Sequence, residues 1–276
     1  MSITDDLGIA QYAVTLLGHN GTSVTSDFES SPANETERIL SYVYDTVRDA
    51  LLTEYLWRFA TKRAALAPDT TTPVFEYGQR YTLPTDFLRT IQTREESEGF
   101  LDPDWRIEGN YLVTDTAPGS ALTITGATQA DPVVITIAGH GLSDNVAVYI
   151  ESVVGMTEIN DLVFQIDNPA TDTFELHGID GSGYTAYVSG GTAKQVDVKL
   201  EYVAQITTVT EMTSVFIDVF ATRLAATISP KLTDNAQITR QMWEMYNQKM
   251  DMARNTNAVQ GTVRGIDADN WTQARL

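Results

Sequence analysis

Apolar residues recur at helical spacing at both ends of this chain and alternate with polar ones in its middle. From Thr4 to Leu17, the residues Leu7, Ala10, Ala13, Val14 and Leu17 form one stripe, with Asp5 and Asp6 in the first turn, where acids suit the helix dipole. Gly18 and His19-Asn20-Gly21 end it. A second helix is expected from Ser31-Pro32, an N-cap followed by proline, past Ile39, Val43, Val47, Ala50 and Leu51 towards Trp57. Trp57 to Ala67 is expected to carry aromatic and basic residues on a helix that runs into a loop, and Tyr81 to Arg89 to be extended. Near the C-terminus, Ser214 to Ser229 carries Phe216, Val219, Phe220, Leu224 and Ile228, with Ala221, Ala225 and Ala226 allowing a close neighbour. Pro230 is expected to interrupt, and Asp234 with Gln237 to form a capping box for a last helix reaching about Arg254. Ile238, Met242, Met245, Lys249 and Met252 are expected on its packed face.

Between the helix pairs the period is two. Ala121–Thr125 and Val196–Ala204 read as strands. Thr128 to Thr192 is rich in Gly, Asp and Thr, with strand candidates Val133–Ile137, Val146–Ile150, Leu162–Ile166 and Thr173–Leu176, and turn signals at Gly139–Gly141 and Gly178–Gly183. This region is expected to be a separate β domain, residues 127–195, inserted between flanking strands that are neighbours in one parent sheet. Its excision is then expected to leave a chain that folds. The whole reads as α+β: a helical body with a small antiparallel sheet (residues 1–126 and 196–254), the inserted all-β barrel-like domain, and an extended tail, 255–276.

Charge sharpens the picture. The net charge is −19 over 276 residues. Residues 127–195 hold nine acids against one base, Lys194, whereas residues 196–276 are nearly balanced. A nucleic-acid grip needs the opposite sign. Cysteine is absent, which excludes disulfides, thiolate metal sites and cysteine nucleophiles. No apolar run approaches the roughly 18 residues that span a bilayer, and the acidic N-terminus is unlike an export signal.

Catalytic chemistry is hard to find. Glu95-Glu96 and Asp102-Pro103-Asp104 are paired acids without a constellation, His140 in Gly-His-Gly-Leu closes a turn, and Asp180 sits in a loop without calcium-ligand spacing. Neither a phosphate-binding glycine loop nor a nucleophile elbow is present. No cofactor is expected. The run Trp57-Arg58-Phe59-Ala60-Thr61-Lys62-Arg63 lies among twice as many acids as bases, so a subunit interface through Trp57, Arg58, Lys62, Arg63 and Arg89 is the preferred reading.

Four segments together resemble the tail tubular protein A family of head-to-tail adaptors of short-tailed bacteriophages. They are Tyr44-Asp45-Thr46-Val47-Arg48-Asp49; Trp57 to Arg63; Tyr81-Thr-Leu-Pro-Thr-Asp-Phe-Leu-Arg89 preceded by Tyr77; and Phe220-Ala-Thr-Arg-Leu-Ala-Ala226 after Leu200-Glu-Tyr-Val203. Each is short, and the specificity lies in their order. The resemblance implies a twelve-subunit ring that docks on the portal protein, extends the DNA channel, meets a distal tail nozzle or tubular protein, and belongs to the virion. DNA would pass an acidic lumen without sequence-specific binding, and no membrane is involved. Within the insert, His140-Gly-Leu-Ser143, Val153-Val-Gly-Met-Thr-Glu-Ile-Asn160, Thr173-Phe-Glu-Leu176 and Asp180-Gly-Ser-Gly-Tyr184 resemble the module named after the first catalytic cysteine half-domain of ubiquitin-activating enzymes, and the resemblance implies a surface contact domain, expected to meet tail fibres or neighbouring tail proteins. The tail, with Arg264, Ile266, Trp271, Arg275 and Leu276, is expected to bind the portal. The alternatives are a monomeric fibre-attachment or envelope-binding protein, and a phage-associated hydrolase.

Overall fold

The computed structural model describes residues 3–25, 28, 30–94, 105–196 and 198–259. It divides into two compact units, Met1–Thr61 with Val203–Leu276, and Lys62–Tyr202. Glu95, Glu96, Asp102 and Asp104 lie outside the described residues, as do Arg264, Ile266, Trp271, Arg275 and Leu276. Among the described residues no helix is long and apolar enough to cross a membrane.

The first unit is helical: α1 (Asp6–Leu16), α2 (Glu35–Glu54), α3 (Ser214–Leu232) and α4 (Ala236–Val259). α3 packs against the other three. That is why Phe216, Val219, Phe220, Ala221, Leu224, Ala225, Ala226 and Ile228 are all buried around it, the alanines letting neighbouring backbones close in. Polar ties fix the helices in register. Tyr44 on α2 donates to Asp6 on α1 (2.7 Å). Asp218 on α3 accepts from Tyr12 on α1 (2.9 Å) and Lys249 on α4 (2.6 Å). Glu54 on α2 accepts from Arg223 on α3 (2.5 Å) and Tyr246 on α4 (2.9 Å). Burial, with Glu54 beside it, pushes the Tyr246 phenol up to about 12.

Three helix boundaries differ from expectation, each for a local reason. α2 starts after Asn34, whose Oδ1 accepts the Glu37 amide at 3.0 Å. The solvent-excluded Glu37 carboxylate reaches back to the amides of Thr25 (2.8 Å) and Ala33 (2.5 Å), so Asn34 and Glu37, and not Ser31-Pro32, are the capping pair. Pro230 lies within α3 and does not interrupt it. Its missing N–H leaves the Ala226 carbonyl open, and Ser229 Oγ donates to that oxygen at 2.9 Å. Asn235, rather than Asp234, caps α4 by accepting the Gln237 amide at 2.9 Å, while Asp234 takes a positive φ of 45° between the helices. The buried stripe of α4 is Met242, Tyr246, Met250, Ala253 and Asn257, and Met252 is 68% exposed. Tyr246 and Asn257 are anchored by hydrogen bonds, and this turns the helix away from the face that methionine spacing suggests.

Those bonds to Glu37 set a pH dependence. Hydrogen bonds from the Ala33 and Thr25 amides hold its carboxyl below the ordinary 4.5. Its folded value is the lower one, so its stabilisation is complete above 4.5 and is lost as pH falls through the folded value. Thermal melts of Glu37→Gln are expected to lie roughly 5 °C below the parent at pH 7, and the gap should narrow as pH drops towards 3. A gap that stays constant would exclude the assignment.

The second unit is built on strands. β1 (Thr61–Ala65) begins at the unit boundary, followed by β2 (Gln79–Thr82), β3 (Phe87–Arg94), β4 (Trp105–Glu108) and β5 (Tyr111–Thr114). β6 (Leu122–Thr123), β7 (Gly126–Ala127), β8 (Val134–Thr136), β9 (Ala147–Val154), β10 (Leu162–Asp167), β11 (Thr173–Leu176) and β12 (Ser189–Gln195) lead to β13 (Lys199–Ala204). Among the described residues there are three sheets, ordered β1-β13-β3, β2-β5-β4 and β6-β12-β9-β10-β11-β8-β7. Thr61–Ala65 is therefore a strand, preceded by a single 3-10 turn at Arg58–Ala60, and not the helix expected there. The α-helix stops at Glu54 because Trp57 folds back and donates Nε1 to the Leu51 carbonyl (2.9 Å), one of the orphan acceptors of the last turn.

The seven-stranded sheet has an alternating core of Val133, Ile135, Ile137, Val146, Val148, Ile150, Phe164, Ile166, Phe174, Leu176 and Ala193. It is open and not a closed barrel: its edges are β6 and β7. The chain itself links those edges, since residues 122–127 pair with β12 through β6 and with β8 through β7. β6 thus belongs to this sheet, and β13 lies in another, between β1 and β3, so the flanking strands are not neighbours in one parent sheet. The outer face of the seven-stranded sheet is not bare. Ala147, Tyr149, Val196 and Val163 pack on Ala65 and Ala67 within the same unit.

Candidate functional site

The residues expected at a subunit interface fall in both units. Trp57 is 1% exposed. Its ring centre lies 5.0 Å from that of Phe216 and 5.4 Å from that of Tyr55, within the helical core. Arg58, next in sequence, is exposed. In the second unit Lys62, Arg63 and Arg89 lie on the three-stranded sheet, whose central strand is β13.

Strand alternation sorts this sheet into two faces. Leu200 and Tyr202 of β13 are buried, and Glu201 between them points the other way. On the side of Tyr202, Asp86 accepts its phenol (2.8 Å) and the Lys62 ammonium (2.8 Å), and Phe87 stacks 5.9 Å from the tyrosine ring. Burial raises the Asp86 carboxyl, but the hydrogen bonds from Lys62 and Tyr202 outweigh it and hold the group below its usual range. Burial and Asp86 push the Tyr202 phenol far above its ordinary value. The Asp86 carboxylate, bonded to Tyr202 and Lys62, joins the loop before β3 to β13 and β1 and so braces the sheet. On the other face, Arg63 reaches Glu201 at 3.1 Å while remaining 78% exposed. Arg89 is exposed and has no ion pair among the described residues. Lys62, Arg63 and Arg89 are exposed basic groups on this sheet, and Arg89, in phase with Phe87, lies on the Tyr202 side, opposite Arg63.

Of the other chemical candidates, His140 and Asp180 are among the described residues, and both are engaged in local hydrogen bonds. His140 is buried. Its Nδ1 accepts the Leu142 amide (3.1 Å) and its Nε2 lies 3.2 Å from the Thr173 carbonyl, which requires the neutral ring with the proton on Nε2. Asp180 accepts the Ser182 amide (2.9 Å) and is held below the ordinary carboxylate range by that residue. Among the described residues no group of three or more His, Asp and Glu gathers as a metal site. Sequence reasoning missed the Asp86–Tyr202 contact, for partners 116 positions apart leave no spacing signal. It also missed Glu37, although Asn34-x-x-Glu37 is a legible capping pattern.

Residues 130–197 match the family model of the ubiquitin-activating enzyme E1 FCCH domain. The match takes in β8 to β12 of the seven-stranded sheet and begins after β6 and β7. No curated protein matches the chain.

Proposed function

We propose that the chain is a head-to-tail connector of a tailed bacteriophage, a homo-oligomeric ring that docks on the portal and supports the distal tail, with the 130–197 module as an outward contact domain. The observation that carries this reading is the ordered set Tyr44–Asp49, Trp57–Arg63, Tyr81–Arg89 and Phe220–Ala226. The burial of Tyr44, Trp57, Tyr81, Phe220, Leu224, Ala225 and Ala226 gives the set a physical meaning, because these residues specify a fold and not a surface. A net charge of −19 suits a wall past which DNA must slide, and exposed Arg58, Arg63 and Arg89 suit a heterologous contact between copies, which closes into a ring when the rotation fits.

The test is the mass of the purified protein in solution, alone and mixed with the matching portal ring. About twelve copies are expected to add per portal, in keeping with matched ring symmetry. A monomer that ignores the portal would refute the connector reading and favour fibre attachment or envelope binding.

A further inference from the structure

After Glu54 the chain leaves the helical unit through residues 55–60. Two main-chain groups on that route, the Leu56 carbonyl and the Arg58 amide, are met by one side chain from the far end of the unit. Asn257, near the end of α4 and 8% exposed, donates Nδ2 to Leu56 O at 2.8 Å and accepts the Arg58 N–H at Oδ1 at 3.1 Å. The opposite amide orientation would set donor against donor and acceptor against acceptor. One turn earlier, the Arg254 carbonyl accepts the Tyr55 phenol (3.3 Å). The Arg254 guanidinium lies 5.7 Å from the Tyr55 ring centre and 3.7 Å from Glu54. Further back along α4, Met242, Met250 and Ala253 hold the helix by apolar packing. Through Asn257, Arg254 and Tyr55 the end of α4 is tied to the exit segment by polar contacts, which exchange for water at less cost than a packed core opens.

We propose that the end of α4 is a strap over the exit segment, with Asn257 as its latch, and that load on residues 260–276 reaches Leu56–Arg58 through it. Closed, the latch fixes the backbone three residues before the boundary at Thr61; open, it frees that backbone while α3 stays packed. The identity of the load rests on the proposed connector function, in which those residues meet the portal; the latch itself does not.

Hydrogen exchange by mass spectrometry on the full chain tests both parts. Asn257→Leu, and the milder Asn257→Ala, are each expected to speed exchange at the Arg58 amide about tenfold, with α3 amides unchanged. An unchanged Arg58, or an α3 that speeds up equally, overturns the latch. On adding portal rings, Arg58 exchange is expected to shift in the parent chain and not in Asn257→Leu. Binding without that shift overturns the transmission and leaves the connector reading intact. Absence of binding overturns the connector reading and the portal as source of load, and the first arm then decides the latch.

Discussion

Trp57→Ala is expected to cost about 3–5 kcal/mol, the range for emptying a large aromatic site in a core. The ring is 1% exposed and wedged between Tyr55 and Phe216, so the surroundings cannot collapse without moving α3. Urea unfolding followed by circular dichroism would measure the loss. Trp57→Phe separates the two contributions. It keeps most of the packing but leaves the Leu51 carbonyl without its donor, for an expected loss of about 1–2 kcal/mol. If both variants lie within 0.5 kcal/mol of the parent, roughly the scatter of a surface substitution, then Trp57 is not the joint that ends α2.

Excision of residues 127–195 is expected to damage the rest of the second unit, in contrast to the clean removal that the sequence pattern suggests. β6 would lose β12, its ladder partner. Ala65 and Ala67 would lose Ala147, Tyr149 and Val163. Limited proteolysis should cut between residues 62 and 121 at least tenfold faster in the excised chain than in the parent, as expected when local opening becomes cheap. The helical unit, with its own core around α3, should keep its protease resistance. Equal protection of both regions would mean that the module is a true appendage.

Much of this architecture is legible in the sequence because it is written in local periods. The four strand candidates of the insert overlap β8, β9, β10 and β11, for their inward residues alternate over at least two positions, although β9 runs four residues beyond Ile150. β12 escaped because Ser189-Gly-Gly-Thr192 looks like a turn. Both glycines take positive φ, and a Cβ at Gly191 would lie 2.5 Å from Val153 Cγ2, so glycine is needed where β12 lies close against β9. Thr61–Ala65 reads as helix in the sequence because Lys62 and Arg63 fit a helix as readily as an edge strand, and the event that ends the helix is a tertiary one, the return of Trp57 to Leu51. The polar nodes at Asp218, Glu54 and Asn257 each join residues from two or three distant segments, and no sequence window contains them.

The way residues 122–127 serve both borders of the seven-stranded sheet bears on crowding. An unpaired border is a template on which another chain can add a strand, the more so where many copies are crowded together. Here each outermost strand is two residues long, Leu122–Thr123 on one side and Gly126–Ala127 on the other. A second molecule would find room for only a pair of rungs before the chain turns to the opposite side. Runaway stacking is thereby denied its starting surface, without the lysines that usually guard such borders: Lys194 is the one base between residues 127 and 195. A module this acidic and this poor in basic guards keeps to itself by geometry.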